Sequence, residues 1–201
     1  MNQDEIVNIL TTIENGSDQM SDRQRKYLLR TKDRDLAILT LMLGTGIRVS
    51  ECVGLDVNDL NFIENSMKIV RKGGGQDILY FSDEIAEVLK NYIDGERNIH
   101  KPEDSEEEAL FFSLQGKRIS VDAVEKLVKK YASIAVPDKK ITPHKLRSTY
   151  GTQLYKETGD IYLVADVLGH SDVNTTKKHY AALEEERKRS ARNAVKLRDD
   201  T

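Results

Sequence analysis

At 201 residues, with 38% hydrophobic and 32% charged positions, the chain has the composition of a soluble globular protein long enough to bury a proper core. Its longest apolar stretch, Leu36 to Leu43, is too short to cross a bilayer, no secretory signal is expected, and the single Cys52 excludes an intramolecular disulfide. These features point to the reducing cytoplasm with no membrane partner; cysteine clusters are absent, four scattered histidines are a weak basis for a metal, and no cofactor is expected.

Ile6, Ile9, Leu10 and Ile13 repeat at helical spacing and predict an amphipathic helix, followed by a polar break from Gly16 to Ser21. Asp33 opens a strongly apolar helix through Leu43, ended by Gly44 and Gly46, and Arg48 to Val53 reads as a short helix stopped at Gly54. Ser66–Val70 and Gln76–Phe81 are β-prone runs joined by Gly73, Gly74 and Gly75, a hairpin signal. Asp83 is expected to cap a helix to about Tyr92 with Ile85, Val88, Leu89 and Tyr92 on one face. The acidic run Glu103, Asp104, Glu106, Glu107 and Glu108 reads as a surface loop, and Leu110–Phe112 as a single short strand.

Val121–Ile134 is helical with Val124, Leu127, Val128 and Tyr131 as its buried stripe. Thr142 and Pro143 start the next helix, which runs to about Lys156 and stops near Gly159. Asp160 caps another through Leu168, ended by Gly169; a last helical piece precedes Tyr180, and Glu184–Arg198 is a charged helical tail. The fold class is mainly α with a small antiparallel β-sheet (α+β).

The formal net charge of −3 does not itself suggest nucleic acid. It hides a division, since from Lys117 to Arg147 nine cations face only Asp122, Glu125 and Asp138. A local basic face is what phosphate binding needs, although charge alone reads more readily as a solvated helix face.

Four motifs stand out in chain order: Gly46-Ile47-Arg48-Val49-Ser50-Glu51, Arg71-Lys72-Gly73-Gly74, His144-Lys145-Leu146-Arg147, and Leu168-Gly169-His170 with Tyr180 ten residues later. Singly they are weak. Arg48 alone reads as an ion-pair partner, Lys72 as a turn lysine, Gly169 as a plain C-cap with a satisfied His170 beyond it, and Tyr180 as a core aromatic like Tyr131 and Tyr155. Together, over nearly the whole chain, they resemble the tyrosine recombinase (phage integrase) family. The resemblance implies the catalytic-core fold of DNA breaking-rejoining enzymes and a catalytic set of Arg48, Lys72, His144, Arg147, His170 and Tyr180. Two positions depart from the pattern: Ser148 stands where many members carry a further histidine, and the His170–Tyr180 interval is at the long end, with His179 beside it as a rival nucleophile.

The residue types suit the chemistry. A phosphodiester can be broken without metal when fixed cations meet its developing charge, and the always-charged Arg48 and Arg147 can clamp the nonbridging oxygens. Tyrosine, with an ordinary pKa of about 10, needs a base or an electropositive pocket; His144, one turn from Arg147, can take and return that proton. Lys72 on a glycine-rich hairpin is placed to protonate the departing 5′-oxygen, in line with the family, and His170 to hydrogen-bond a phosphate oxygen. Glu51 reads as an orienting partner. The expected intermediate is a 3′-phosphotyrosine, resealed by a 5′-hydroxyl without ATP.

The expected organisation is a catalytic domain over 1–182 and a tail over 183–201, with the family's N-terminal core-binding domain absent. The tail reads equally as a helix docking on a neighbouring subunit or as a frayed end. The resemblance implies double-stranded DNA as partner and a homo-oligomer on DNA, a tetramer in the synaptic complex, acting in site-specific integration or excision. Alternatives are relaxation by a type IB topoisomerase-like enzyme, a non-catalytic DNA-binding module of the same fold, and a metal-dependent nuclease, which would need a carboxylate cluster that the sequence does not display.

Overall fold

The computed structural model describes residues 1–102 and 108–170, with Tyr180 and Arg189. Most of the acidic run, the helical piece expected before Tyr180 and the charged tail therefore lie outside the described residues, Arg189 apart. The chain divides into two compact units, Met1–Tyr150 and Gly151–Thr201.

In the first unit, α1 (Gln3–Asn15) starts at a capping box between Asn2 and Glu5 and buries Ile6, Ile9 and Ile13. It packs on α7 (Val121–Ala135) and α3 (Lys32–Thr45). Between α1 and α3 in the chain comes α2 (Asp22–Leu28), absent from the expected elements: it is short, begins at a Ser21–Gln24 capping box and buries only Leu28, so it has no apolar period to detect. α3 is buried from Ala37 to Leu43 on nearly every side, and it ends at Gly46, whose φ of 64° is the left-handed cap expected of a glycine.

Gly44, expected to help end α3, lies inside it instead. A Cβ at this position would sit 2.5 Å from Cδ1 of Ile85, so its small size admits the side of α5 (Asp83–Tyr92). α4 (Val49–Gly54) follows as expected. After a 3₁₀ turn at Val57–Asp59 come β1 (Leu60–Asn61), β2 (Ser66–Val70) and β3 (Gln76–Tyr80), an antiparallel sheet in that order. β1 is two residues long, too short to show alternation. Met67 pairs with Leu79, and both are buried with Ile69, while Lys68, Val70, Ile78 and Tyr80 are exposed.

The cap of α5 is Ser82, whose hydroxyl accepts from the Ile85 amide at 3.4 Å; Asp83, expected in that role, is the first helical residue. The buried face is Ile85, Ala86, Leu89 and Tyr92, with Val88 at its margin. A π turn at Ile93–Arg97 leads into α6 (Asn98–His100). Leu110–Phe112 is buried but is not a strand; isolated bridges join Asp56 to Ala109 and Phe112 to Arg118 without a continuous ladder. α7 buries the expected stripe, and α8 (Pro143–Thr158) opens with the Thr142 hydroxyl accepting from the Lys145 amide at 3.3 Å.

In the second unit α8 ends at Gly159, and α9 (Ile161–Val167) starts where an Asp160 carboxylate oxygen accepts from the amides of Tyr162 and Leu163 at 2.8 and 3.1 Å. It ends in a Schellman motif: Gly169, at φ 56°, donates to Asp166 O at 2.7 Å and His170 donates to Ala165 O at 2.8 Å.

The N-terminus of α3 has no side-chain cap from Thr31. Glu96, from the π turn, supplies one: its Oε2 accepts from the Asp33 amide at 2.9 Å, while Oε1 is buried without a hydrogen-bond partner. Burial pushes the carboxyl up to about 7 against the opposing pull of the Asp33 and Arg34 amides and the Arg34 charge. A carboxyl raised in this way binds its proton more tightly in the folded state, so its contribution to stability falls as pH rises from the unfolded value of 4.5 towards 7. Glu96→Gln keeps an accepting oxygen and removes the titration. Relative to wild type, the variant should gain about 2 kcal/mol between pH 5 and pH 8 in urea unfolding; an equal difference at both pH values counts against this account.

Candidate active site

The α3–α4 turn places the first arginine. After Gly46 turns the chain, Arg48 is the extended N-cap of α4 and its amide donates to Glu51 Oε2 at 2.9 Å. The carboxylate also holds the Arg48 side chain, with Nη1 2.8 Å from Oε1. From the end of β2, Arg71 reaches the same carboxylate at 3.4 Å and Asp77 at 2.8 Å. The Glu51 side chain is only 2% exposed, whereas Arg48 keeps 31% of its side chain open. The carboxylate thus bridges two cations, and the second, Arg71, stands in a sequence motif that assigns it no role. Nothing in the local pattern distinguishes Arg71, because its partner lies twenty residues earlier.

Arg71 also closes the hairpin loop, its amide donating to Gly75 O at 2.7 Å and its carbonyl accepting from Gly74 at 3.0 Å. Gly73 and Gly74 take φ values of 103° and 88°, which side chains rarely adopt, and they leave Lys72 exposed at the tip. Arg147, on α8, is buried and its Nη1 donates to the Gly46 carbonyl, two residues before Arg48. His144 lies one turn earlier on α8 and is exposed. The first unit therefore gathers Arg48, Glu51, Arg71 and Arg147 around one turn, with Lys72 on the hairpin tied to it.

The second unit carries the other two expected residues. His170 is the residue after the left-handed Gly169, a position fixed by the Schellman bonds. Tyr180 is buried, as are Tyr131 and Tyr155, and its ring lies 5.5 Å from that of Tyr155.

The basic run from Lys117 to Arg147 is partly neutralised. Arg118 pairs with Asp56 at 2.6 Å, Lys126 with Asp122 at 2.7 Å, Lys130 with Asp35 at 3.2 Å, and Lys139 with Glu5. Lys117, Lys129, Lys140 and Lys145 are exposed. A second charged cluster, not anticipated, lies at the opposite end of α3. Asp35 accepts from Arg34, Tyr131 and Thr31 at 2.7, 2.7 and 3.1 Å, and burial, reinforced by this carboxylate, pushes the Tyr131 phenol well above its ordinary range. Among the described residues no group of three or more His, Cys, Asp or Glu is arranged to hold a metal ion.

Residues 1–187 match the phage integrase family. The chain is 34% identical over 194 residues to the tyrosine recombinase XerS of Lactococcus lactis subsp. lactis, covering 94% of this chain and 54% of that one. XerS of Streptococcus thermophilus is 33% identical over 195 residues, with the same coverage. The chain thus spans about half the length of the relatives it matches. Among solved structures, the XerA recombinase superposes with a TM-score of 0.76 at 25% identity, over 94% of this chain and 64% of that one. The lambda integrase catalytic core gives 0.59 at 16% identity, over 86% and 92%, which speaks to fold alone.

The carboxylate at 51 is the test of this geometry. Glu51→Gln leaves two guanidinium groups without their shared counter-charge and should cost about 2 kcal/mol of stability in chemical denaturation. A loss below roughly 0.5 kcal/mol, the scale of an exposed pair, would show that the two ion pairs are ornamental.

Proposed function

Because this chain belongs to the phage integrase family of tyrosine recombinases, we propose that it catalyses site-specific DNA strand cleavage and rejoining through a 3′-phosphotyrosine. The observation that carries this reading is the set of arginines built around a buried Glu51 and the Gly46 carbonyl, which presents positive charge in advance of any anion. Cations fixed before reaction stabilise the developing charge on a phosphate without reorganisation cost.

In the proposed mechanism Arg48 and Arg147 bind the nonbridging oxygens of the scissile phosphate, and His170 hydrogen-bonds one of them. The Tyr180 hydroxyl attacks phosphorus; the bond from phosphorus to Oη forms, the bond to the 5′-oxygen breaks, and the tyrosine proton passes to His144. Lys72 gives a proton to the departing 5′-oxygen. Ligation reverses these steps with a 5′-hydroxyl from another strand, so the phosphodiester energy is conserved and no metal or nucleotide cofactor enters. The partner is double-stranded DNA, on which copies of the chain assemble, four in a synaptic complex, within the cytoplasm. No helix among the described residues is long and apolar enough to cross a membrane.

A nicked suicide duplex traps the covalent complex and allows the residue to be mapped. Tyr180→Phe should bind DNA and give no adduct; an adduct of normal yield from this variant removes the reading. Lys72→Ala should slow cleavage by about 10²–10⁴, and a duplex with sulfur at the bridging 5′ position, whose thiolate leaves without a proton, should restore most of the rate. A two-site recombination assay set beside plasmid relaxation separates strand exchange from topoisomerase action.

The pairing of four of the nine cations in the basic run with carboxylates bears on affinity. With about three phosphate contacts, binding to a duplex should weaken roughly forty-fold between 50 and 200 mM salt, read by fluorescence anisotropy. Nanomolar sequence-specific binding of this chain alone at physiological salt contradicts that expectation.

A further inference from the structure

A Cβ at Gly73, Gly74 or Gly75 would meet no neighbouring atom within 4 Å, so the loop after Lys72 does not pack on the rest of the protein. The placement of Lys72 then depends on where the loop begins and ends, and Arg71 is where it begins. Side chains alternate along a strand, and Arg71 continues the inward positions of Met67 and Ile69. Its side chain is 12% exposed and its guanidinium forks. Nε and Nη2 donate across the hairpin to Asp77 Oδ2 at 3.0 and 2.8 Å, while Nη1 lies 3.4 Å from Glu51 Oε2 on α4. The main chain of the same residue bonds to both Gly75 and Gly74. One residue therefore fastens the entry of the loop to its exit strand and to the carboxylate that holds Arg48.

We propose that Arg71 is a positioning residue for protonation of the leaving group: shared between Asp77 and Glu51, it sets the Lys72 ammonium at the 5′-oxygen of the phosphate that Arg48 binds. The proposal rests on the reading of Lys72 as the proton donor. The step served is the transfer of one proton from Nζ to the 5′-oxygen, as the bond from phosphorus breaks and leaves its electron pair on that oxygen. A lysine followed by two left-handed glycines samples many positions, and fixing the residue before it removes much of that search. The planar donors of a guanidinium can serve two carboxylates in fixed directions. An ammonium keeps the charge but loses that geometry, so lysine at 71 separates charge from placement.

The test uses the full chain on a saturating nicked duplex carrying oxygen or sulfur at the bridging 5′ position, and follows single-turnover adduct formation. Arg71→Lys should slow cleavage of the oxygen duplex by about 10²-fold, the scale of an ångström of misplacement. On the sulfur duplex, whose thiolate leaves without a proton, the same variant should react at close to the wild-type rate. Adding Arg71→Lys to Lys72→Ala should slow the oxygen duplex little further, because changes that act through one group do not add. Asp77→Asn loosens the outer end of the fork, on a side chain 45% exposed, and should act in the same direction by a smaller factor. It serves if Arg71→Lys does not fold by circular dichroism. A folded variant that slows both duplexes alike overturns the proposal, since Arg71 then acts through phosphate binding or the fold, and so does one that slows neither. If Lys72→Ala itself gains nothing from sulfur, the proton-donor reading falls and the proposal with it. Rescue of Lys72→Ala without rescue of Arg71→Lys defeats the proposal alone.

Discussion

A carboxylate with 2% of its side chain exposed needs its charge matched, and Glu51 is matched twice. Most of the first unit's candidate site follows from that requirement. One guanidinium comes from Glu51's own helix start and the other from the end of β2, so the carboxylate ties α4 to the hairpin carrying Lys72. Arg71 is shared with Asp77, and of the two guanidinium groups Arg48 keeps the more open side chain. The cost of desolvating Glu51 is met within the protein, and a phosphate arriving later finds Arg48 already oriented. Arg147 is fixed by a different device, a main-chain carbonyl exposed by the left-handed turn at Gly46. One turn therefore serves two arginines that lie a hundred residues apart in sequence.

Two buried charge clusters sit at opposite ends of α3. At its start, Asp35 gathers Arg34, Lys130, Tyr131 and Thr31, joining α3 to α7, and Glu96 covers the amides of the first turn. Beyond its end lie Gly46 and Arg48. A helix of 14 residues separates the two by about 20 Å. The charges at the start have internal partners and serve the fold, while those beyond the end keep a face towards solvent. That contrast in exposure, more than charge itself, distinguishes a structural ion cluster from one able to receive a ligand.

Local rules made much of this legible in the sequence. The αL glycine at 46, the cap at Thr142, the Asp160 start and the Gly169 stop of α9 each depend on neighbours a few residues away, and each was readable. So were the hairpin and the chain order of the four motifs. What escaped is either too short or too distant. α2 has no apolar stripe and β1 has two residues. Arg71 and Glu51 are twenty positions apart, and Asp35 and Tyr131 ninety-six, so only folding brings them together. Gly44 has the local pattern of a terminator because glycine ends helices more often than it makes room for a neighbour, as it does here for Ile85. Ser82 and Asp83 are both good capping types, so composition alone does not separate the cap from the first helical residue.

The near-complete burial of α3 has a consequence for hydrogen exchange. Its amides are shielded by α1, α5 and α7 and, past the first turn, held in helical bonds to Thr45. Water reaches the central ones only when those neighbours separate, which is an opening of the first unit as a whole. Exchange at Leu39 and Leu41 then runs on the clock of global unfolding, whereas the exposed glycine loop beside Lys72 exchanges through local motion. The same chain keeps two times: a slow one set by its central helix, and a fast one at the tip where the proposed proton donor sits.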